Sequence, residues 1–151
     1  MTTATLHTDG GARGNPGPAG IGVVLSDTDG NVIGEIARGI GSTTNNVAEY
    51  TALVEGLQLA LDKGVTEIDV RLDSQLVVSQ VRGEWKIKSD ALRQLAVRAR
   101  SLLGKFERST LTHVPRERNA DADRLANQGM DQAELDVELD RESWLRDDPL
   151  F

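Results

Sequence analysis

Residues 3–40, TATLHTDGGARGNPGPAGIGVVLSDTDGNVIGEIARGI, predict three consecutive β-strands joined by turns. The strands are expected at residues 3–8, 21–25 and 32–40, where apolar and β-branched residues recur. An Asp-Gly pair lies in the turn at residues 27–31, and such pairs are typical of hairpin connections. We therefore expect the fold to begin with a three-stranded antiparallel meander.

The following ninety residues alternate between helical and strand patterns. Helices are predicted over residues 45–63, 75–81 and 89–103, and a final helix from residue 120 to about residue 130. Residues 65–72 and 106–114 are predicted to be two further strands. Parallel strands need crossover connections, so we expect an α/β fold in which a five-stranded mixed sheet carries helices on both faces.

Four acidic residues stand beside these elements. Asp9 and Asp73 end strands, Glu49 lies near the start of the first helix, and Asp123 begins the last helix. Cations such as Mg²⁺ prefer oxygen ligands, and the chain has no Cys and only two His. Crowded carboxylates repel one another unless a cation neutralises them. The pattern indicates a divided metal site, and the alternative is four unrelated acids that cap their elements.

Each acid lies in a distinctive string: TDGGARGNPGPAG at residues 8–20, TTNNVAEY at 43–50, LDSQ at 72–75 and NADADRLAN at 119–127. In this order the strings resemble ribonuclease H of type 1, whose members cut the RNA strand of RNA/DNA hybrids. The resemblance covers roughly residues 3–130. It implies the ribonuclease H fold, with the first and fourth strands as neighbours.

The resemblance also assigns catalytic roles. Asp9 would bridge two Mg²⁺ ions, with Mn²⁺ as an alternative metal, while Glu49 and Asp73 would hold the ion on the leaving-group side. Asp123 would help hold the ion that carries the attacking water. Asp121 competes for this last role, but residues two apart on a helix point about 200° apart, and Asp123 matches the family string.

Substrate contacts are implied at further positions. Asn15, Asn45, Asn46 and Gln75 match family positions that line the minor groove of the hybrid, where the 2′-hydroxyl distinguishes RNA from DNA. Arg13 and Thr44 match positions that contact a backbone phosphate, and Asn119 is also assigned to substrate binding. The alternatives are ordinary turn residues and helix caps.

The chain departs from the best-known bacterial form in two places. A long basic handle is replaced by RGEWKIKS at residues 82–89, so the hybrid would be gripped by Trp85, Lys86 and Lys88, although Trp85 packed in the core is the alternative. The loop before the last catalytic Asp lacks a histidine, as in an archaeal-like and actinobacterial-like short-loop branch. Arg118, or else Arg116, is expected to replace it.

Both histidines of the chain are expected to be structural. His113 falls on the fifth predicted strand, which is too early for the loop histidine, and His7 falls on the first.

The charge is distributed unevenly. The formal net charge is −7, yet ten basic and four acidic residues lie between Arg82 and Arg118. That basic stretch suits phosphate binding, with a solvated helix face as the alternative for residues 93–105.

Residues 131–151 carry eight acidic and two basic residues. We expect a ribonuclease H domain at residues 1–130 and an acidic tail or linker at 131–151, a flexible segment being favoured over a docked helix or a partner-binding peptide. The tail also carries the apolar residues Leu135, Val137, Leu139, Trp144, Leu145, Leu150 and Phe151.

The sequence thus predicts an Mg²⁺-dependent endoribonuclease that leaves 5′-phosphate and 3′-hydroxyl ends on the RNA of RNA/DNA hybrids. One alternative is the ribonuclease H half of a bifunctional protein with a C-terminal hydrolase. The other is a binding module for hybrids or double-stranded RNA that has lost catalysis. No signal peptide or membrane-spanning run is evident, so we expect a cytoplasmic protein that binds no membrane. We also expect a monomer, with the acidic tail available to a protein partner or second domain.

Overall fold

The computed structural model describes residues 2–146, which form five strands, four α-helices and one 3₁₀ turn. The strands are β1 (Thr3–Ala12), β2 (Gly17–Asp27), β3 (Val32–Thr43), β4 (Glu67–Leu72) and β5 (Arg108–His113). The helices are α1 (Asn45–Asp62), α2 (Gln75–Val81), α3 (Asp90–Leu103) and α4 (Ala120–Arg146), with the 3₁₀ turn at Arg116–Arg118.

The sheet has the order β3-β2-β1-β4-β5, which confirms the predicted fold class. Strands β1, β2 and β3 are antiparallel neighbours, whereas β4 is parallel to both β1 and β5. Thr8 pairs with Leu72 at the end of the β1–β4 ladder. Asp9 and Asp73 each follow a member of that pair, so the two acids lie side by side as expected.

One face of the sheet supports the main hydrophobic core. Leu6, Val23 and Val70 of the strands pack there with Leu53 of α1 and Ala96 of α3, all of them fully buried. Alternation along each strand places every second side chain on this face, and burial of such side chains is the main favourable term in folding.

Helix α4 covers the opposite face over β2 and β3, where glycines replace side chains. A Cβ atom at Gly22 would lie 2.0 Å from the Ala122 carbonyl oxygen, and one at Gly20 would lie 2.3 Å from the Met130 nitrogen. A Cβ atom at Gly129 of the helix would lie 2.4 Å from the Arg38 carbonyl oxygen. The helix and the sheet therefore touch backbone to backbone, which fixes the position of Asp123.

Helix α4 is longer than the sequence predicted. The expected end at about residue 130 was wrong, because Gly129 lies against the sheet instead of ending the helix, and Ala133 beyond it is also buried. The helix continues to Arg146 with Leu135, Val137 and Leu139 about half exposed. The side chains of Trp144 and Leu145, together with Leu150 and Phe151, lie outside the described residues.

None of the described helices combines the length and the apolar composition needed to cross a bilayer.

Candidate active site

Four acidic side chains from four elements line one cleft of about 550 Å³. Asp9 comes from β1, Glu49 from α1, Asp73 from the residue after β4, and Asp123 from the first turn of α4. Residues far apart in the sequence are thus brought together in the way that the strings predicted.

Close backbone packing places Glu49 beside Asp9. A Cβ atom at Gly10 would lie 2.3 Å from the carbonyl carbon of Ala48, so β1 approaches α1 to a distance that only glycine permits. The Gly10 N–H donates a hydrogen bond to Oε1 of Glu49 at 3.3 Å. The glycine that follows Asp9 therefore sets both the distance between the two acids and the orientation of Glu49.

Three of the carboxylates form a compact cluster. One oxygen from each of Asp9, Glu49 and Asp73 lies within 4.8 Å of the others. Asp9 is 7% exposed and Glu49 is 6% exposed, whereas Asp73 is only partly buried. Like charges that are this close together and this deeply buried are unfavourable without a neutralising partner.

Burial raises the pKa of Asp9 far above its usual range, and repulsion from Glu49 is the next largest cause of this shift. Burial is also the main reason that the pKa of Glu49 is raised, although the hydrogen bond from the Gly10 N–H opposes this effect. Both shifts favour the protonated carboxyl, because burial penalises the charged form of each group.

The donor set suits a hard divalent cation. Oε2 of Glu49 is buried and has no hydrogen-bond partner among the described residues, so one oxygen of the cluster is left for a ligand. Carboxylate oxygens are the ligands that Mg²⁺ and Mn²⁺ favour. A cation there would supply the charge that the cluster lacks.

Asp123 stands beside this cluster. Its side chain is 33% exposed, and one oxygen lies 3.6 Å from Nη2 of Arg116. Asp121 faces a different pocket, which His7, Arg118 and Ala120 also line. The structure thus brings Asp123 to the cleft and leaves Asp121 outside it, as helical geometry required.

The arginine assigned to replace the missing histidine differs from the expected one. Arg118 lines two neighbouring pockets beside His7 instead of the cleft, whereas Arg116 lines the cleft and lies next to Asp123. The two residues are the first and the last of the 3₁₀ turn. Arg116, which was the alternative, is thus the arginine that lies at the cleft, while Arg118 does not line it.

The asparagines assigned to the substrate lie near the start of α1, at one end of the cleft. Asn45 lines it and accepts a hydrogen bond from the Ala12 N–H, while Asn15 accepts one from the Asn45 N–H at 3.0 Å. Asn46 is exposed, and the side chain of Thr44 caps α1 by accepting from the Val47 N–H. Thr44, and neither asparagine, is thus the helix cap.

Four further residues assigned to the substrate are exposed and do not line the cleft. Gln75 begins α2 and donates to the Ser79 hydroxyl at 2.7 Å. Trp85 is 49% exposed, which excludes the core position that was its alternative. Lys86 and Lys88 are exposed beside it and free to approach a substrate surface.

Two residues assigned to substrate are engaged within the protein. Arg13 donates from Nη1 to Asp131 at 2.5 Å and lies 3.1 Å from Glu134, so acids of α4 occupy the place expected for a phosphate. Asn119 is 1% exposed and donates to the Thr8 carbonyl oxygen at 2.9 Å. A side chain so deeply buried cannot contact a nucleic acid, and its assignment as a substrate contact was wrong.

Sequence reasoning missed four residues that line the cleft, namely Ser74, His113, Asn127 and Met130. His113 was expected to be structural, and its Nε2 does donate to a backbone group, the Asp73 carbonyl oxygen at 3.2 Å, at the wall of the cleft. Ser74 and Asn127 adjoin known acids in their strings, which is the signal that could have identified them. Met130 carried no such signal.

Comparison with known proteins supports this geometry. A family model described as reverse transcriptase-like matches residues 7–129. The bifunctional protein Rv2228c of Mycobacterium tuberculosis is 50% identical over 129 residues, which are 85% of this chain and 35% of that protein. The chain thus spans about a third of the length of the mycobacterial relatives that it matches.

Ribonuclease HI of Caulobacter vibrioides is 35% identical over 144 residues, covering 85% of this chain and 93% of its own length. Two solved structures are also similar. The N-terminal RNase H domain of Rv2228c has a TM-score of 0.87 at 46% identity and covers 91% of this chain and 99% of its own. LC11-RNase H1, in complex with an RNA/DNA hybrid, has a TM-score of 0.81 at 43% identity and covers 86% and 98%.

Proposed function

Because the chain belongs to the ribonuclease H type 1 family, we propose that it is an endoribonuclease that hydrolyses the RNA strand of RNA/DNA hybrids. The products would carry 5′-phosphate and 3′-hydroxyl ends. LC11-RNase H1, a protein of the same fold at 43% identity, has been solved with such a hybrid bound.

The observation that carries this proposal is the convergence of Asp9, Glu49, Asp73 and Asp123 in one cleft. Four acids from four separate elements meet there, and two of them are buried with raised pKa values. Such a cluster is unfavourable for the empty protein, so it is best accounted for by a role in function.

These four residues would hold two divalent cations, for which we propose Mg²⁺, with Mn²⁺ as the alternative. When bound, such ions activate a water and stabilise the departing oxygen of an in-line phosphoryl displacement. The cluster fits them, because it offers carboxylate oxygens and leaves Oε2 of Glu49 unpaired among the described residues.

The protein's own groups orient the reacting strand. Arg116 lies next to Asp123 and can place its guanidinium against a phosphate at the cleft. Asn15 and Asn45 lie close together at one end of the cleft, where their amides can reach a 2′-hydroxyl. Trp85, Lys86 and Lys88 are exposed, so they are available to the DNA strand.

A second candidate function is one half of a bifunctional protein. It is favoured by the mycobacterial relative, which is named bifunctional and is about three times the length matched here. The ribonuclease H activity would be the same in that case, with a further activity elsewhere in the natural protein. We further propose that the protein works in the cytoplasm.

A non-catalytic binding module is disfavoured by the complete acid set. Gel analysis of a labelled hybrid, a matched double-stranded RNA and a matched DNA duplex, each with Mg²⁺, Mn²⁺ or EDTA, tests the proposal. We expect cleavage of the RNA strand of the hybrid that EDTA abolishes. Binding of the hybrid without cleavage in either metal would favour the binding module instead.

A further inference from the structure

We propose that Asn119 is a positioning residue that holds Asp9 and Asp123 at a fixed separation. The inference rests on the proposed function, because it concerns the same cleft. Asn119 does not reach the cleft itself. Its side chain is hydrogen-bonded to the strand that carries Asp9, and its backbone carbonyl oxygen is hydrogen-bonded to the helix that carries Asp123.

The first link runs to the strand that carries Asp9. The side-chain amide of Asn119 donates to the Thr8 carbonyl oxygen at 2.9 Å, in a fully buried position. Thr8 immediately precedes Asp9 and belongs to the last pair of the β1–β4 ladder. The contact therefore anchors β1 where its pairing with β4 ends.

The second link runs to the helix that carries Asp123. The Asp123 N–H donates to the Asn119 carbonyl oxygen at 3.0 Å, which closes the first turn of α4. One residue thus joins a strand and a helix that are more than a hundred residues apart in the sequence. The two acids on those elements cannot shift relative to each other without breaking one of these bonds.

Stability alone does not explain an asparagine here. Its Oδ1 and the hydroxyl of Thr8 are both buried without a hydrogen-bond partner among the described residues. A buried polar atom left unpaired is unfavourable, so an apolar side chain of similar volume would be tolerated by the fold. What the apolar side chain could not supply is the amide bond to β1.

Asp123 also needs such an anchor more than the other acids. Asp9, Glu49 and Asp73 are held within 4.8 Å of one another, whereas Asp123 stands outside that group and is partly exposed. The distance between Asp123 and Asp9 depends on the position of the first turn of α4 relative to β1. Outer groups that orient metal ligands commonly contribute 10- to 100-fold to metal affinity or activity.

The experiment compares Asn119→Leu, which keeps the volume, and Asn119→Ser, which is smaller and polar, with the wild-type protein. Val65→Ala is the matched control, because Val65 is buried two residues before β4 begins, away from the end of the strand that leads to Asp73, and its truncation lowers stability without touching the cleft. Mg²⁺ affinity is measured by isothermal titration calorimetry on the hybrid-free protein. Steady-state kcat, KM for the hybrid and the Mg²⁺ concentration for half-maximal rate are measured as well.

We expect both Asn119 variants to bind Mg²⁺ about tenfold or more weakly and to lose kcat by a similar factor, with KM for the hybrid unchanged. High Mg²⁺ should partly restore their rates, and Val65→Ala should keep the wild-type Mg²⁺ dependence. Unchanged Mg²⁺ affinity in either folded Asn119 variant would overturn the positioning role, as would a rise in KM alone.

The proposed function fails separately, since it requires the wild-type protein to cleave the hybrid. The calorimetric comparison of Mg²⁺ affinities decides the role of Asn119 even if no cleavage is seen.

Discussion

Replacing Asp9 with Asn should stabilise the metal-free protein at neutral pH while abolishing cleavage. Burial and the nearby Glu49 raise the pKa of Asp9 above its ordinary value of 3.8. A carboxyl with a higher pKa in the folded state than in the unfolded state binds its proton more tightly when folded. Its contribution to stability is therefore most favourable below pH 3.8 and declines as the pH rises toward the folded value.

The size of the effect follows from this linkage. If Asp9 is protonated in the folded protein and ionised in the unfolded chain at pH 7, the native state loses about 1.4 kcal/mol for each pH unit above 3.8, or roughly 4 kcal/mol in all. A separate bound comes from Coulomb repulsion. Two carboxylates at 4.8 Å repel by about 3.5 kcal/mol at an effective dielectric constant near 20.

Asn resembles the protonated carboxyl in shape, so the variant should recover roughly 2–4 kcal/mol of this loss. For a protein of this size, Tm should rise by roughly 3 °C for each kcal/mol, which gives roughly 6–12 °C. The gain should shrink to below about 1 kcal/mol near pH 4, because the pH is then close to the ordinary pKa of 3.8 and a substantial fraction of the unfolded carboxyls is protonated.

The assay is thermal unfolding in EDTA at pH 7 and pH 4, with Asp140→Asn as a control on an exposed acid of α4. Added Mg²⁺ should raise the Tm of the wild-type protein and leave the variant nearly unchanged. A Tm for Asp9→Asn that is unchanged or lower at pH 7, or a gain that persists at pH 4, would refute the reasoning.

The remaining predictions concern the two ends of α4. Asp123→Asn should lose most activity while Asp121→Asn keeps it, and the reverse result in a hybrid-cleavage assay would mean that the helix has been assigned in the wrong register. Arg116→Ala should lower turnover about tenfold or more and Arg118→Ala much less, since only Arg116 lines the cleft. Steady-state rates equal to that of the wild-type protein in both variants would remove this turn from catalysis. Ending the chain at Met130 should lower Tm, because the buried packing beyond it is lost, and should tighten hybrid binding at low salt, where the removed acids repel phosphate most strongly. A truncated protein with unchanged Tm would show that the end of α4 is not docked.

The sequence was sufficient for features encoded within short segments. Asp9, Glu49, Asp73 and Asp123 each lie in a local string, and strand alternation with turn residues located the sheet. The neighbouring positions of β1 and β4 then followed from the family fold. The strings and the strand pattern depend on residues that are close along the chain, which is why they could be identified from the sequence.

Contacts between distant residues could not be predicted in the same way. Arg13 pairs with Asp131, which is 118 residues away, and both residues are of types that occur freely on surfaces. Glycine often follows the end of a helix, yet Gly129 lies within α4 and is a contact point between the helix and the sheet. Asn119 lies in a family string, and only its burial shows that it faces the core.

The central claim is that the four carboxylates form the metal-dependent centre that cuts the RNA strand. The most direct measurement is cleavage of a hybrid labelled on its RNA strand by the wild-type protein and by Asp73→Asn, at concentrations that give equal hybrid occupancy in a binding assay. We expect cleavage by the wild-type protein in Mg²⁺ and none in EDTA. We expect none by Asp73→Asn, although this variant binds the hybrid. Cleavage by Asp73→Asn at the wild-type rate would contradict the central claim.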